Sequence, residues 1–453
     1  MIPITVDLIF DIGRTNKKVF VLGQQSEILD QQYKNFEETV DEDGFPSEDL
    51  QAVSAWVLEM VDHYVFLPKY NVKGVNFSTY GASMVHLDED GKIVGTFYNY
   101  LKEFPAETAA RLKKHYPNLD DFSIATQSPY MGFLNSGLQL LFLKYERPES
   151  FARIDCSLHL PQYFTFLLTG QKYSEFTSIG CHTGLWDLER KSCAKWLKDE
   201  NLLKLLPVPS PTDQVIETVY KGVKLNVGLG IHDSSSTLIP YLQQTEEPFV
   251  LLSTGTWSIS MNPFNQSMLD EQTLAQDCMN FMTINGQSVL ASRLLLGKHY
   301  AEQVKLLNAH FGVNEDLHKT LPYQVKKSKR KEANQCLFNH HLIAIERFGL
   351  QSATKVDLSI FQDFEEAYWH LMDELTDAQV KVLELALGGQ TSGKIFVDGG
   401  FVHNQYFMQM LKEKLPTHQF LVTEQGNGAC IGAAIMLNDT AVLHHKLQNK
   451  VIC

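Results

Sequence analysis

Hydrophobic and polar positions alternate or run in short apolar blocks over much of the chain, and the pattern predicts α/β structure. Thr5–Phe10 and Lys18–Leu22 read as two strands around a tight turn, and "EILDQQYKNF" as a third. Polar residues 37–49 read as a loop. "DLQAVSAWVLEMVDHYVF" has helical spacing at Val53, Val57, Met60, Val61 and Tyr64. "VKGVNFSTYG" is a strand running into a glycine turn, and "AETAARLKKHY" and "LNSGLQLLFLKYERPE" are helical. "LHLPQYFTFLLTG" predicts a helix capped by Gly170. In "KLNVGLGIHDSSSTLIPYL" an apolar segment meets Gly228 and Gly230, turns through His232 and Asp233, and enters a helix with Ser234–Ser236 as capping groups.

After "QQTEEP" the pattern restarts. "FVLLSTGTWSISM" is again strand, small-residue turn, strand. This places a domain boundary near Gln243–Pro248, giving domains 1–243 and 244–453. The second half is expected to hold a helix at 292–310, a solvated basic loop at 326–332 ("KKSKRKE") and a long helix at 362–387. "GKIFVDGGFVHNQYFMQMLKEKL" then reads as strand, Gly-Gly turn, helix, and "GNGACIGAAIML" as a glycine turn opening a small-residue helix. Two α/β halves that each begin with a similar hairpin suggest a duplicated clamp with a nucleotide in the cleft between lobes.

Length agrees with two domains, since single cores stop growing at roughly 250–300 residues and this chain has 453. A net charge of −14 argues against a nucleic-acid or anionic-membrane binder, which needs a basic face. It leaves phosphate ligands open, because backbone N–H groups bind them without net charge. Seven cysteines without a C-x-x-C pair, Cys156, Cys181 and Cys193 being the closest group, read as reduced thiols. The N-terminus lacks a leader pattern and no apolar run nears the roughly 18 residues of a span. A cytoplasmic protein is expected.

The sequence has no P-loop, no G-x-G-x-x-G turn, no H-E-x-x-H and no G-x-S-x-G elbow. Its sixteen histidines show no metal-ligand spacing, and His340–His341 and His444–His445 read as surface pairs. The opening turn, "FDIGRTNKKVF", offers different chemistry. A tight hairpin gathers N–H groups around an anion; Gly13, Thr15 and Asn16 shape the turn and donate, Lys18 adds charge, and Asp11 suits Mg²⁺ held through water. Thr254, Gly255 and Thr256 make a second such tip. Gly399 and Gly400 leave room for a base or ribose before Asn404 in a helix's first turn. Each turn alone is also what an ordinary hairpin or helix start requires; the three in this order point to a nucleotide. Asp233, opening a helix after a glycine-rich turn, is the candidate base, either taking a proton from an attacking hydroxyl or merely capping its helix.

These residues resemble the FGGY carbohydrate kinases, a family with the two-domain actin/Hsp70/hexokinase-like (ribonuclease H-like) ATPase fold. "DIGRTNKK" resembles the first phosphate hairpin, D-x-G-x-T-N-x-[RK], and "LSTGTWSIS" the second, in the form of the rhamnulokinase and fuculokinase branch. "GIHDSSS" is similar to the catalytic loop, "LPQYFTFLLTG" with "EFTSIGCHTGLWDL" to the L-P-D-Y-x-x-x-x-L-T-G block, and "VDGGFVHNQYFMQML" to the adenosine block. The resemblance runs in order along almost the whole chain. It implies an ATP- and Mg²⁺-dependent kinase acting on C1 of a (deoxy)ketose such as L-rhamnulose or L-fuculose. Asp233 would be the base, Asp11 and Asp233 would lie at the metal, and Thr79, Tyr80, Ser83, Tyr100, His232 and Asp233 would face the sugar. A homodimer is common in such families. Two sugar-side blocks depart from the pattern. Ser83 stands where T-[FW]-G-V-D has its aspartate, and Tyr100-Leu101-Lys102-Glu103-Phe104 lacks the charged residues of Y-R-D-x-R. Kinases for xylulose, ribulose or a polyol therefore stay open, as does a non-catalytic ATP-binding sensor.

Overall fold

The computed structural model describes residues 2–423, 427–437 and 449–451. The chain forms two compact units. The first comprises Met1–Glu246 with Met279–Ser288 and Asn427–Leu447; the second comprises Glu247–Cys278, Val289–Gly426 and Gln448–Cys453. Beyond a single cut at 243/244 lie residues 244–246, Met279–Ser288 and Asn427–Leu447 of the first unit, because local pattern does not reveal where a returning segment packs.

The first unit is built on a seven-stranded sheet. β1 (Ile4–Ile12), β2 (Lys17–Gly23) and β3 (Ile28–Lys34) form an antiparallel meander. A two-stranded ribbon, β4 (Glu38–Val40) and β5 (Pro46–Glu48), occupies the segment expected to be loop. These strands are too short and too polar to show a period. α1 (Leu50–Val65) follows, its N-terminus capped by Asp49, whose carboxylate accepts from Ala52 N. Its predicted face, Val53, Val57, Met60, Val61 and Tyr64, is the buried one. β6 (Tyr70–Thr79) then lies parallel to β1. β7 (Val215–Tyr220), β8 (Val223–Gly228) and β9 (Ile231–His232) complete the order β7-β8-β6-β1-β2-β3, with β9 also pairing with β6. Apolar residues of β1, β2, β6 and β8 meet α1 and the helix Leu160–Thr169 in one core.

α2 (Asp233–Gln244) leaves β9 directly. Its first serines do not cap it, contrary to expectation. Ser235 Oγ donates to Met282 O and Ser236 Oγ to Ala429 O, so they fasten neighbouring segments. The small-residue helix Gly428–Ile435 packs so closely on α2 that a Cβ at Gly432 would meet Ser236 O at 1.9 Å. Gly426, at the turn expected before this helix, lies outside the described residues.

The second unit repeats the plan. β10 (Phe249–Thr254) and β11 (Ser258–Asn262) form an antiparallel hairpin, followed by β12 (Ser288–Leu294). α3 (Leu296–Phe311) starts later than the expected 292–310 helix because 292–294 pair with β11. α4 (Phe364–Leu387) is the long helix, and β13 (Gly393–Gly399), α5 (Gln405–Lys414) and β14 (His418–Thr423) complete the unit. The sheet runs β12-β11-β10-β13-β14, with Asn449–Val451 beyond β14.

Two surface expectations change in this unit. Arg330 of the basic loop keeps only 9% of its side chain exposed and pairs with Asp373 and Asp377 on α4. His340 is fully buried: Nε2 lies 2.9 Å from Glu374 Oε2, and Nδ1 lies 2.9 Å from His299 Nε2. Glu374 also accepts from Leu337 N and Phe338 N. Glu374→Ala therefore orphans one imidazole and two backbone donors at once. It should cost about 3 kcal/mol of stability, read as a lower urea midpoint at unchanged slope. His341 is exposed as expected, and His444–His445 lie outside the described residues. No described helix is long and apolar enough to cross a membrane.

Candidate active site

In the first unit, strand register assembles the site. Asp11 of β1 stands beside Ser78 of β6, and Ser78 beside Ile231 of β9; Ile12, Thr79 and His232 form the next row. Parallel strands lie about 4.8 Å apart, so residues distant in sequence end at one edge. Binding groups collect at the carboxyl ends of such strands because the chain leaves the sheet there. Asp233 is the next residue after β9.

The β1–β2 turn is closed by Gly13 N donating to Asn16 O at 3.0 Å, with Thr15 and Asn16 exposed at its tip. Asp11 and Lys18 are register partners across the hairpin, with Nζ 3.5 Å from Oδ2. Burial raises the Asp11 pKa, Lys18 opposes the rise, and the nearby Asp233 charge adds to it. Two hard carboxylates with their mutual repulsion only partly compensated fit a hydrated Mg²⁺.

Asp233 is the first residue of α2. Its Oδ1 accepts from Ser234 N at 2.6 Å and from Ser234 Oγ at 3.2 Å. Burial nevertheless pushes its pKa up to about 6, the Ser234 donors offsetting part of the rise. The side chain keeps 35% of its surface, so it sits deep in the unit but open at one side. His232 Nε2 lies 3.2 Å from Asp233 Oδ1 and 2.9 Å from Cys181 Sγ. Burial drives His232 down to about 3, leaving a neutral ring beside the carboxylate.

Thr79, Tyr80, Ser83 and His232 surround a cavity of about 10 Å³, shared with Gly81, His159, Pro161 and Ser178. That is about the volume one water needs. Thr79 and Ser83 are buried, and their hydroxyls donate to the carbonyls of Tyr80 and Gly81. Tyr100 is half-buried, its ring centroid 6.3 Å from that of Tyr80. Sequence reasoning missed Cys181, His159 and Glu48 here. Cys181 and His159 come from blocks noted only for pattern, and Glu48 from the presumed loop.

The nucleoside candidates belong to the second unit. Gly255, Gly400 and Asn404 line a cavity of about 510 Å³ with Tyr300, His318, Lys319, Leu321, Phe401 and others. Asn404 is the N-cap of α5, not a residue of its first turn. Its Oδ1 accepts from Phe407 N, and its Nδ2 donates to Tyr368 OH at 2.8 Å. Thr254 is buried and holds the two turns together, donating to Asp398 O and accepting from Phe401 N. Gly399 has φ 91°, and a Cβ there would meet Thr254 O at 1.8 Å, so only glycine fits. Thr256 O accepts from Gly297 N at 3.1 Å. Tyr300 and His318 carry no motif and were invisible in sequence.

Among known proteins, residues 6–224 match the FGGY family of carbohydrate kinases, N-terminal domain. These residues are an FGGY N-terminal domain. Asp233 lies just beyond the matched stretch. A rhamnulokinase of Pectobacterium atrosepticum is 26% identical over 294 residues, 61% of this chain and 56% of its own. A rhamnulokinase of Halalkalibacterium halodurans is 31% identical over 133 residues, 28% of each chain. The matched stretches thus span about a quarter to a half of those relatives. A carbohydrate kinase structure from Novosphingobium aromaticivorans superposes with a TM-score of 0.78 at 21% identity, covering 99% of this chain and 94% of its own. That likeness establishes the expected fold, the two-domain actin-like ATPase fold. Xylulose, gluconate and glycerol kinases share it.

Proposed function

We propose that this chain, with its FGGY domain, is an ATP- and Mg²⁺-dependent carbohydrate kinase in which Asp233 is the general base. One observation carries the reading: a carboxylate whose pKa burial raises stands at the carboxyl ends of β1, β6 and β9, in the same unit as the β1–β2 hairpin. The acceptor is a neutral sugar, most simply a (deoxy)ketose such as L-rhamnulose or L-fuculose phosphorylated at C1. The named relatives support that choice, while Ser83 and the Tyr100 block leave xylulose, ribulose or a polyol as alternatives.

Phosphoryl transfer needs alignment, charge neutralisation and a proton sink. Asp233 accepts the hydroxyl proton as the oxygen attacks the γ-phosphorus; the bond to the β,γ-bridging oxygen breaks and ADP leaves. The backbone N–H groups of the β1–β2 turn, with the side chains of Thr15, Asn16 and Lys18, offer donors and charge to phosphate oxygens. Asp11 and Asp233 would hold Mg²⁺ through water, which when bound neutralises phosphate charge. The Gly399–Gly400 turn, Asn404 and the cavity around Tyr300 would hold the adenosine. Neutral His232 adds no charge that would stabilise the carboxylate, keeping it basic enough to work.

ADP release with Mg·ATP and a panel of L-rhamnulose, L-fuculose, L- and D-xylulose, the ribuloses and glycerol tests the proposal. No stimulation by any sugar overturns it in favour of a non-catalytic sensor. The active base is the ionised form, so kcat/KM for the accepted sugar should rise with pH through about 6 and level off. A limb near 4, where an ordinary aspartate titrates, would contradict the burial argument.

A further inference from the structure

Arg14 sits in the phosphate-type turn between Gly13 and Thr15, yet its side chain does not stay with the turn. Its Nη2 donates to Glu38, and its Nη1 lies 3.5 Å from Glu48 Oε2. Glu38 and Glu48 are directly opposite on the β4–β5 ribbon. Like charges facing each other across strands are destabilising unless a cation bridges them, so the ribbon is built around a guanidinium. Glu48 is fixed further by Lys17 Nζ at 2.7 Å and by Tyr80 OH at 3.2 Å, and its Oε1 is buried without a partner. Tyr80 in turn lines the small cavity beside His232 and faces Tyr100.

We infer that Arg14, clamped by Glu38 and Glu48, is an acceptor-binding residue that selects neutral polyhydroxy sugars over sugar acids. This rests on the kinase reading above. Both sugar-side departures in the sequence meet an answer here. The Tyr100 block lacks arginine, and its Lys102 is drawn away to Asp41 and Asp43 at 2.5 and 2.6 Å. Ser83 offers no charge, whereas Glu48 brings a carboxylate to the phenol of Tyr80. Glu48 Oε2 lies 3.5 Å from Arg14 Nη1 and accepts from Tyr80 OH at 3.2 Å, and the Tyr80 ring faces Tyr100 at 6.3 Å, which sets the guanidinium one carboxylate away from the Tyr80–Tyr100 pair. The guanidinium retains N–H donors beyond those given to the glutamates, and a quarter of its side-chain surface is open. Arg14 and Lys17 balance Glu38 and Glu48, so the cluster offers hydrogen bonds without net positive charge. A hydroxyl is satisfied by that arrangement, and a carboxylate meets two flanking glutamates.

The test uses the full chain and whichever sugar the panel identifies. Arg14→Ala should raise KM for the sugar about tenfold, the worth of a charged hydrogen bond. KM for ATP and the pH limb near 6 should not change, and Arg14→Lys should recover little because a point charge does not replace the fork. Glu38→Gln, at a half-exposed position, adds a net positive charge while keeping the arginine. It should narrow the preference for the neutral sugar over gluconate by about tenfold, and its binding of gluconate, measured calorimetrically, should tighten. If Arg14→Ala raises KM for ATP instead, or leaves both KM values unchanged and only lowers the melting temperature, the inference is overturned. Unchanged selectivity in Glu38→Gln overturns the charge-balance half. A wild-type chain that no panel sugar stimulates sinks the kinase reading itself, a separate result from these.

Discussion

Asp233→Asn is expected to lower kcat by about two to four orders of magnitude, the usual worth of a positioned base. The amide keeps the shape and can still accept from Ser234 N, but it has no lone pair basic enough to take the hydroxyl proton. Folding should not suffer. An unfolded aspartate titrates near 3.8, whereas the folded group titrates near 6. Between those values the native state binds more protons, so stability falls as pH rises through the window. The neutral isostere escapes that loss, and its melting temperature at pH 7–8 should match or exceed the wild type. Solvent at the open side screens the gain. Near-normal turnover in a folded variant that still binds nucleotide would remove Asp233 from the mechanism.

Asp11→Ala should weaken apparent Mg²⁺ affinity and kcat/KM for Mg·ATP by about one to two orders of magnitude, the range for losing a group that orients a metal's ligands. Sugar KM should change little, because the Asp11 carboxylate is paired with Lys18 across the β1–β2 hairpin. Raising Mg²⁺ should recover part of the loss. A variant whose sugar affinity alone collapses would show that Asp11 belongs to the acceptor and not to the phosphates.

The β1–β2 and β10–β11 hairpins, α1 and the Gly399–Gly400 turn were legible because local physics dictates them. Strand side chains alternate with period two, helical ones recur near 3.6, and a backbone that must pass 1.8 Å from where a Cβ would stand admits only glycine. The β4–β5 ribbon was illegible: two three-residue strands, Glu38–Val40 and Pro46–Glu48, are too short to show a period, and the cations that pair with their glutamates, Arg14 and Lys17, come from another hairpin. His340 looked like a surface residue because nothing near it in sequence announces Glu374 and His299, which come from α4 and α3.

The sequence by itself determined the order of elements, the two hairpin tips and the residue types for handling phosphate and a proton, since each depends on neighbours a few positions away. Tertiary structure alone decided what those residues experience. Burial pushes the Asp233 pKa up to about 6, and the Arg14 side chain turns away from its hairpin because a ribbon that begins 24 residues later presents Glu38 and Glu48 to it. Desolvation and charge pairing depend on distance in space, and the chain sets that distance only by folding.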